Sequence, residues 1–332
     1  MNSSLRCWAF VDWAKDCSRS DAYVRELGMS LIRHHRNRGG LGATAYKYAW
    51  QLFQTTRDLV RQRPTRVMCM SPSPLTALPV WLYCKATGSE FVIDAHTGAF
   101  MGAPWDRLPW IQPFFTRRAL ATIVTNARLA DVVREQGGRP VVVPDVPTER
   151  AADGSASLGD GFHVVFVASW GLDEPLGEVI AAARALPDVV FHVTGKPKPH
   201  HAELVRELPA NVKLTGFLDR QRYLATVAAA DVVLALTTRD HTMQRAAYEA
   251  VYLGTPIVIS DWPILRENFE GAAVFTANDP ESLTRAITSA RVEAGRLRCG
   301  AERLRNAKLA RWENNRRTLQ ALLGTTEQTK EV

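Results

Sequence analysis

The chain has 332 residues, of which 46% are hydrophobic and 23% are charged, and its formal net charge is +7. This composition is typical of a folded protein and excludes a disordered, collagen-like or coiled-coil chain, while the length suits two ordinary domains. The whole positive excess lies in residues 1–150, which hold 20 Lys and Arg against 12 Asp and Glu. A basic half predicts an anionic partner, which is nucleic acid, anionic lipid or a phosphorylated substrate.

The cysteines and the apolar segments indicate the compartment. Five cysteines, an odd number without a C-x-x-C pair, argue against a zinc ribbon or disulfide framework and favour a reducing environment. The first residues lack the apolar core of a signal peptide. An uncharged stretch at 67–84 contains three prolines, so we predict a buried strand and helix there instead of a membrane span. We therefore expect a cytoplasmic protein.

Short apolar runs alternate with helical patterns along almost the whole chain. Continuous apolar runs are typical of parallel strands covered on both faces, and their alternation with helices predicts doubly wound parallel sheets. Helices are predicted at 174–184, 220–230 and 244–253. The predicted strands are 7–12, 66–70, 90–94, 121–125 and 140–144 in the first half, and 163–168, 189–194, 212–216, 232–236, 256–260 and 272–276 in the second.

A small, polar, glycine-bearing segment interrupts this series after Pro147. It predicts a linker at 148–161 between an N-terminal domain at 1–147 and a C-terminal domain at 162–300. Residues 301–332 have the pattern of basic amphipathic helices. Ligands of open parallel sheets bind beyond the carboxyl ends of the strands, so two such domains would place two binding edges across a cleft.

Most motifs with a sharp chemical meaning are absent or out of context. The stretch 40–45 matches the dinucleotide pattern G-x-G-x-x-A, but a basic segment with a helical pattern precedes it, so we expect no nucleotide there. The sequence has no Walker A loop, no G-x-S-x-G, no H-E-x-x-H and no Asp-x-Asp. The adjacent histidines at 34–35 and 200–201 cannot form a chelating helix face. We expect no metal and no cofactor.

The most informative segment spans residues 232–260. A predicted strand leads through a polar loop into a helix that we expect to begin about Met243, with Asp240 or Thr242 as its N-cap. The first-turn amides from Met243 to Arg245 would face a diphosphate, which the positive end of the helix dipole favours.

Arg245 and Glu249 lie one turn apart and therefore share a helix face. This spacing suits a grip on the phosphate and the ribose of a nucleotide. It also suits an ordinary ion pair on the protein surface.

The residues around Glu249 carry a family resemblance. The stretch 248–258, YEAVYLGTPIV, resembles the E-A-x-x-x-G-x-P-V-V signature of the family-4-like, or group 1, glycosyltransferases of GT-B fold. In the same order, 211–218, 229–232 and 278–283 resemble further segments of that family, so the likeness covers nearly all of 162–290. In the first half, 91–96 resembles more weakly the segment that carries a donor-site histidine.

The resemblance implies both fold and function. The fold would be α/β and GT-B, with two Rossmann-like doubly wound parallel-sheet domains facing each other across a cleft and C-terminal helices packing back on the N-terminal domain. The function would be transfer of a sugar from a nucleotide-diphospho-sugar to a glycan or lipid-linked acceptor in cell-envelope polysaccharide synthesis. Transfer would need no metal and would retain the anomeric configuration.

The resemblance and the loop chemistry together imply a set of site residues. Glu249 would bind the ribose, and His96 would approach the transferred sugar from the opposite domain. The catalytic residues would be His96, Asp240 and His241, and the donor-binding residues would be Lys196, Gly216, Phe217, Leu218, Arg239, Thr242, Met243, Gln244, Arg245 and Glu249.

Two departures from the family pattern bear on activity. His241 stands where the family has an acidic residue, and the usual Arg and Lys after the first strand of the second domain are missing from the loop that holds Glu174. Arg239, Arg245 and Lys196 are then the candidates that neutralise the diphosphate. The departures leave two alternatives open, a nucleotide-sugar epimerase of the same fold and a non-catalytic nucleotide-sugar-binding protein.

The loop after the first strand, at 13–21, predicts a further anion contact in the basic half. There, Ser18, Arg19 and Ser20 would bind a phosphate of the donor or acceptor, or Ser20 would simply cap a helix.

The segment 105–118 mixes aromatic residues with arginines, and a nearby helical stretch adds more basic side chains. Together they predict a face that rests on anionic lipid at the inner side of a membrane. The alternative is a set of core aromatics with solvated arginines. We expect no nucleic-acid partner. The basic residues of the helical stretch are Lys47, Arg57, Arg61 and Arg63.

Overall fold

The computed structural model describes residues 8–36, 41–71, 73–100, 108–149, 157–240 and 242–324. The chain divides into two compact units: unit 1 is Met1–Val146 with Arg311–Val332, and unit 2 is Pro147–Ala310. Each unit contains one six-stranded sheet in which all neighbouring strands are parallel. The predicted class, α/β with two Rossmann-like doubly wound parallel sheets, is confirmed.

Unit 1 has the strand order β2-β1-β3-β4-β5-β6. Its strands are β1 (Trp8–Asp12), β2 (Ser30–Arg33), β3 (Arg66–Ser71), β4 (Glu90–Ala95), β5 (Ala121–Val124) and β6 (Pro140–Val142). Its helices are α1 (Ser18–Leu27), α2 (Leu41–Gln62), α3 (Ala77–Thr87), α4 (Thr97–Phe100), α5 (Ile111–Thr116) and α6 (Ala127–Glu135), with a short 3-10 helix at Pro74–Thr76.

Unit 2 has the strand order β12-β11-β10-β7-β8-β9. Its strands are β7 (Phe162–Phe166), β8 (Val189–Thr194), β9 (Val212–Gly216), β10 (Val232–Ala235), β11 (Ile257–Ser260) and β12 (Ala273–Thr276). Its helices are α7 (Leu176–Ala185), α8 (Ala202–Arg206), α9 (Arg220–Ala229), α10 (Arg245–Leu253), α11 (Pro263–Phe269), α12 (Pro280–Val292) and α13 (Ala294–Leu323), with a 3-10 helix at Pro199–His201.

The central strands are buried on both faces, as their continuous apolar sequences predicted. Every residue of β1, β5, β10 and β11 is buried, and apolar clusters cover the two faces of each sheet. A doubly covered strand has no solvent face, so its sequence cannot alternate between apolar and polar residues. The sheet therefore lies at the centre of the core of each unit.

Two local predictions for the first half are wrong. The segment 30–33, interpreted as helical, is the edge strand β2, which pairs with β1 from Ala9 and Ser30 to Asp12 and Arg33. Only Ile32 of its four residues is buried, so β2 lacks the continuous apolar run by which the other strands were predicted. The G-x-G-x-x-A stretch thus follows a strand, although Gly40 lies outside the described residues.

The second correction concerns the loop predicted at 13–21. Helix α1 already begins at Ser18 with Cys17 as its N-cap, and no side chain caps it, so Ser20 is not a cap. The Ser20 hydroxyl instead donates to Met70 Sδ at 3.3 Å inside the core.

The last helix contributes residues to both units. Helix α13 starts in unit 2, and from Arg311 onward its residues belong to unit 1. There Trp312, Leu319 and Leu323 are buried in the apolar cluster that also holds Tyr23, whose ring lies 6.1 Å from that of Trp312. The sequentially last helix is therefore part of the core of the first unit.

A buried ion pair joins α1 to the carboxyl end of β4. Arg19 and Asp94 are 7% and 0% exposed, and Arg19 Nη2 lies 3.0 Å from Asp94 Oδ1 while Nε lies 3.1 Å from Oδ2. The guanidinium also donates to the Tyr23 hydroxyl at 2.8 Å and to the carbonyl of Val143 at 3.0 Å. A two-pronged contact with further hydrogen bonds satisfies both buried charges.

The pKa of Asp94 reflects this pairing. Burial is the largest influence and opposes ionisation, but the charge of Arg19, aided by His96, holds the pKa of Asp94 well below its usual value. A carboxyl group with a lowered pKa contributes stability that is complete above its unfolded pKa, about 3.9, and is lost as the pH falls toward the native value.

We expect Asp94→Asn to lower the free energy of unfolding of unit 1 at pH 7 by about 3–5 kcal/mol, because it leaves the Arg19 charge buried and unpaired. Urea unfolding followed by fluorescence measures the loss. The difference in unfolding free energy between the variant and the wild type should narrow as the pH falls below about 4, because Asp94 is protonated there in the unfolded chain while it stays ionised in the folded one. The matched control is Asp131→Asn at an exposed pair with Arg134. A constant difference from pH 7 to pH 2 would contradict the ion-pair assignment.

Candidate functional site

The carboxyl edge of the unit 2 sheet collects most of the predicted donor residues. Lys196 follows β8, Phe217 and Leu218 follow β9, and the loop from Thr237 to Gln244 follows β10. Because all six strands are parallel, their carboxyl ends meet at one edge, where open α/β sheets bind ligands. The sequence predictions for unit 2 thus fall on a single surface.

The start of the β10–α10 loop is rigidly held by its neighbours. The Thr237 carbonyl accepts hydrogen bonds from Trp262 Nε1 at 3.0 Å and from Asn278 Nδ2 at 2.9 Å. The Thr237 amide donates to Ser260 Oγ at 2.9 Å, and the Thr238 amide donates to the Asp173 carbonyl at 2.8 Å. Bonds to the loops after β7, β11 and β12 therefore fix where this loop leaves the sheet.

The predicted start of the helix after this loop is wrong by two residues. Helix α10 begins at Arg245 with Gln244 as its N-cap, and no side chain caps it, so neither Asp240 nor Thr242 does so. The hydroxyl of Thr242 is directed to the Asp240 carbonyl at 3.4 Å instead, and Met243 packs on the apolar cluster beneath. The first-turn amides are therefore those from Arg245 onward. His241 lies outside the described residues.

Glu249 lies one turn into α10 and is 3% exposed. Its Oε1 accepts from Arg220 Nη1 at 2.8 Å and from Arg245 Nε at 3.2 Å, and its Oε2 accepts from the Tyr223 hydroxyl at 2.7 Å. The predicted pair of Arg245 and Glu249 is thus present, but it is a buried cluster with a second arginine and a tyrosine instead of a simple surface pair.

The cluster keeps the Glu249 carboxylate ionised. Burial is the largest influence on its pKa and would raise it, but the charges of Arg245 and Arg220 and the Tyr223 hydrogen bond lower it below the usual value. Burial beside this carboxylate raises the pKa of Tyr223 well above 10, so the phenol remains a donor. A negative charge and three donors are held together under the start of α10.

Both arginines also contact the first residues of unit 2. Arg245 Nη2 donates to Thr148 Oγ1 at 3.0 Å, and Arg220 Nε donates to Glu149 Oε1 at 3.0 Å. Sequence reasoning missed Arg220, Tyr223 and these two partners. Arg220 and Tyr223 are three apart at the start of a predicted helix and so share a face, but only the packing of α9 on α10 brings that face to Glu249.

The loop after β7, which lacks basic residues, is held together by Glu174. Its carboxylate accepts hydrogen bonds from the amide and hydroxyl of Ser169 and from the Gly171 amide, at 2.8–3.1 Å. Between them, Trp170 is 1% exposed with a positive φ of 60° and donates from Nε1 to the Thr194 carbonyl at 2.9 Å. Glu174 therefore satisfies loop amides in this structure.

Gly195, just after β8, is required by this loop. A Cβ at Gly195 would lie 2.3 Å from the Ala168 carbonyl oxygen, and its φ is +77°. Only glycine permits both the close approach and the left-handed conformation. It brings the next residue, the exposed Lys196, beside the loop after β7.

The remaining predicted donor residues vary in exposure. Arg239 has a side chain that is 65% exposed and lies 3.9 Å from an Asp173 carboxylate oxygen, and Asp240 is also exposed. Phe217 is 74% exposed, and Gly216 has a φ of +68° at the end of β9. Arg239 and Lys196 are thus cations with exposed side chains at the carboxyl edge of the unit 2 sheet, where α10 also begins with Arg245.

In unit 1, His96 follows the carboxyl end of β4. Its Nε2 lies 3.0 Å from Asp94 Oδ2, its side chain is 29% exposed, and its amide donates to the Ser71 carbonyl. Asp94 is itself fixed by Arg19, so the imidazole is oriented by a buried carboxylate. Arg19, predicted as an anion ligand, is placed as the partner of Asp94, and Ser20 is buried while Ser18 is half-buried.

The described part of the chain shows neither a cluster of metal-binding side chains nor a helix that could span a membrane. Within residues 8–324, apart from the gaps, no group of three or more His, Cys, Asp or Glu is arranged to hold a metal ion. None of the helices that the structure describes is both long and apolar enough to cross a membrane.

The family described as Glycosyl transferases group 1 matches residues 162–290, which are most of unit 2. A search of curated proteins with this sequence found no match.

Solved structures share the fold over nearly the whole chain. Sucrose-phosphate synthase from Thermosynechococcus elongatus has a TM-score of 0.75 at 16% identity, covering 96% of this chain and 98% of the other. HepE from Anabaena, solved with UDP, has a TM-score of 0.69 at 14% identity, covering 96% and 99%.

A solved structure described as an epimerase shares the fold as well. A putative UDP-N-acetylglucosamine 2-epimerase from Listeria monocytogenes has a TM-score of 0.61 at 10% identity, covering 90% of this chain and 91% of the other. The fold alone does not separate the two activities, but the family match over 162–290 includes the signature around Glu249. The resemblance seen in the sequence is confirmed: residues 162–290 match the group 1 glycosyltransferase family, and the chain shares the GT-B fold of the solved structures.

Proposed function

We propose that the chain transfers a sugar from a nucleotide-diphospho-sugar to a glycan or lipid-linked acceptor in polysaccharide synthesis, without a metal ion and with retention of configuration. The observation that carries the proposal is the ionised Glu249 carboxylate under the first turn of α10, with Arg245 beside it. HepE, which shares the fold, is described in complexes with UDP and with UDP-glucose, and this supports a nucleotide-sugar donor.

The donor is recognised at two ends. The ribose hydroxyls donate to Glu249, which stays a carboxylate and keeps acceptor capacity for them. The diphosphate meets the first-turn amides of α10, where the helix dipole favours an anion. The base lies against Phe217, whose ring is largely exposed, and against the backbone of Gly216 and Leu218.

The leaving diphosphate is stabilised by fixed positive groups. Arg245, Arg239 and Lys196 take the place of the basic residues that the β7–α7 loop lacks. Donors held in position before the reaction stabilise charge as it develops and need no reorganisation at that moment. Within unit 1, Asp94 orients His96, which remains a candidate catalytic group. Asp240 and His241 are the other candidate catalytic groups.

We expect Glu249→Ala to weaken nucleotide binding by about 1–3 kcal/mol, because a charge-assisted hydrogen bond to the ribose is lost. Calorimetric titration with the nucleoside diphosphate measures the change. Glu267→Ala, at an exposed position of α11, is the matched control and should bind as the wild type does. An unchanged affinity in a folded Glu249→Ala variant would show that the carboxylate does not hold the nucleotide.

A mass-spectrometric panel of nucleotide-sugars tests the reaction itself. We expect the protein to release a nucleoside diphosphate and to attach the sugar to an added acceptor in the presence of a chelator. Interconversion of the free donor without an acceptor would assign the chain to the epimerases. Nucleotide binding without turnover of any donor would make it a binding protein.

We also propose that unit 1 docks on an anionic membrane, through α2. Along this helix Tyr46, Phe53 and Val60 are seven residues apart and are 50%, 62% and 58% exposed. A seven-residue spacing places them on one face, and the exposed Arg57 and Arg61 border it. An apolar stripe beside basic residues is typical of helices that lie in a membrane interface.

We expect the protein to sediment with vesicles of phosphatidylcholine containing phosphatidylglycerol and not with vesicles of phosphatidylcholine alone. The double variant Arg57→Glu, Arg61→Glu should lose this binding, and high salt should weaken it through screening. Arg285→Glu and Arg291→Glu together, on α12 of unit 2, give the same change of charge as a control. Equal binding by both double variants would refute docking through α2.

A further inference from the structure

Unit 1 has a cavity at the amino edge of its sheet. A cavity of 630 Å³ is lined by Trp81, Lys85, Glu90, Arg118 and Arg139, among others. Its volume lies within the range of pockets that hold small molecules, about 300–1,000 Å³. Nothing in the proposed transfer reaction uses these residues.

The position of this cavity separates it from the predicted catalytic edge. Glu90 is the first residue of β4, Leu120 precedes β5 and Arg139 precedes β6, so the cavity lies where these strands begin. His96 follows the other end of β4, and a strand of six residues spans roughly 20 Å. A ligand in the cavity therefore cannot contact His96 directly.

The charge around the cavity is positive and uncompensated. Among the described residues, none of Lys85, Arg118 and Arg139 forms an ion pair with a carboxylate, whereas several other arginines of unit 1 do. The one acidic lining residue, Glu90, forms an ion pair with Arg66. Three cations that line one cavity attract an anion of more than one charge.

Aromatic and apolar groups form the rest of the wall. The Trp81 ring packs edge-on against Phe114 with centroids 5.2 Å apart, and the Lys85 ammonium lies 5.4 Å from the Trp81 ring. The Arg118 guanidinium lies 3.6 Å from the Phe114 ring. Behind them, Cys84 is 4% exposed and adds an apolar surface to this side of the cavity. The wall suits an apolar or flat body.

We propose that this cavity binds a phosphomonoester carried on an aromatic or acyl body. The phosphate dianion is held by Lys85, Arg118 and Arg139, and the body lies along Trp81. Arginine matches phosphate oxygens with two parallel donors, and a dianion uses more of the available donors than a diester does. The same chemistry is found in a soluble aromatic phosphate and in the headgroup of phosphatidic acid.

Calorimetric titration of the full chain with two monomeric probes, phenyl phosphate and dihexanoyl phosphatidic acid, tests the site. We expect binding of at least one probe and a loss of at least tenfold in affinity for Arg139→Glu. Arg128→Glu, an exposed position on α6 outside the cavity, gives the same change of charge and should bind as the wild type does. The probe that binds more tightly identifies the source of the phosphate.

The carboxyl edge of the unit 2 sheet, where the proposed nucleotide-sugar binds, also attracts phosphate. Two further measurements therefore separate that edge from the cavity of unit 1. Arg139→Glu should leave affinity for the nucleoside diphosphate unchanged, and Arg245→Ala should leave affinity for the better phosphomonoester probe unchanged. The proposal fails if neither probe binds, if Arg139→Glu and Arg128→Glu bind alike, or if Arg245→Ala loses the probe. Failure of nucleotide binding in the wild type would count against the proposed function and not against this cavity.

Discussion

The geometry of the donor edge depends on one buried carboxylate. Glu249 is nearly inaccessible, and burial alone would favour its neutral form; two arginines and a tyrosine hydroxyl reverse that preference. Removing any one partner would leave the others imperfectly matched in a poorly hydrated place. The cluster therefore ties α9, α10 and the first residues of unit 2 to each other, and it supplies a fixed charge at the start of α10 where an anion and a ribose can be recognised.

The same physical device occurs in unit 1. Arg19 holds Asp94 through Nε and Nη2, and Nη2 also donates to the Tyr23 hydroxyl and the Val143 carbonyl. Asp94 in turn orients His96. In each unit the buried charge lies immediately below a strand end or helix start. Ion pairs at such places position a reactive group precisely, since their donors and acceptors have strict directions.

The excess positive charge of the first half does not form one surface. Arg19 and Arg33 are paired with carboxylates inside the fold, whereas Arg57 and Arg61 border the apolar stripe of α2 and Arg139 borders the cavity at the amino edge. Unit 2, whose net charge is close to zero, lacks the usual basic pair after β7, and Glu174 there accepts loop amides. The proposed contacts to a diphosphate are therefore Arg245, Arg239, Lys196 and the amides of α10.

The sequence by itself determined the two parallel sheets, since a strand covered on both faces must be continuously apolar, and it located the family signature around Glu249. It also placed Arg245 and Glu249 on one face, because i and i+4 positions of a helix always adjoin. The edge strand β2 was missed because it has only four residues, of which Ile32 alone is buried, and so it has no continuous apolar run. The start of α10 was predicted two residues too early because no side chain caps it. Only the tertiary structure decided that Arg220 and Tyr223 contact Glu249. It also decided that Arg19 forms an ion pair with Asp94. The common cavity of Lys85, Arg118 and Arg139 likewise became visible only in the structure. These residues lie far apart along the chain, and their proximity is fixed by how helices pack on sheets, which no local pattern of residues records.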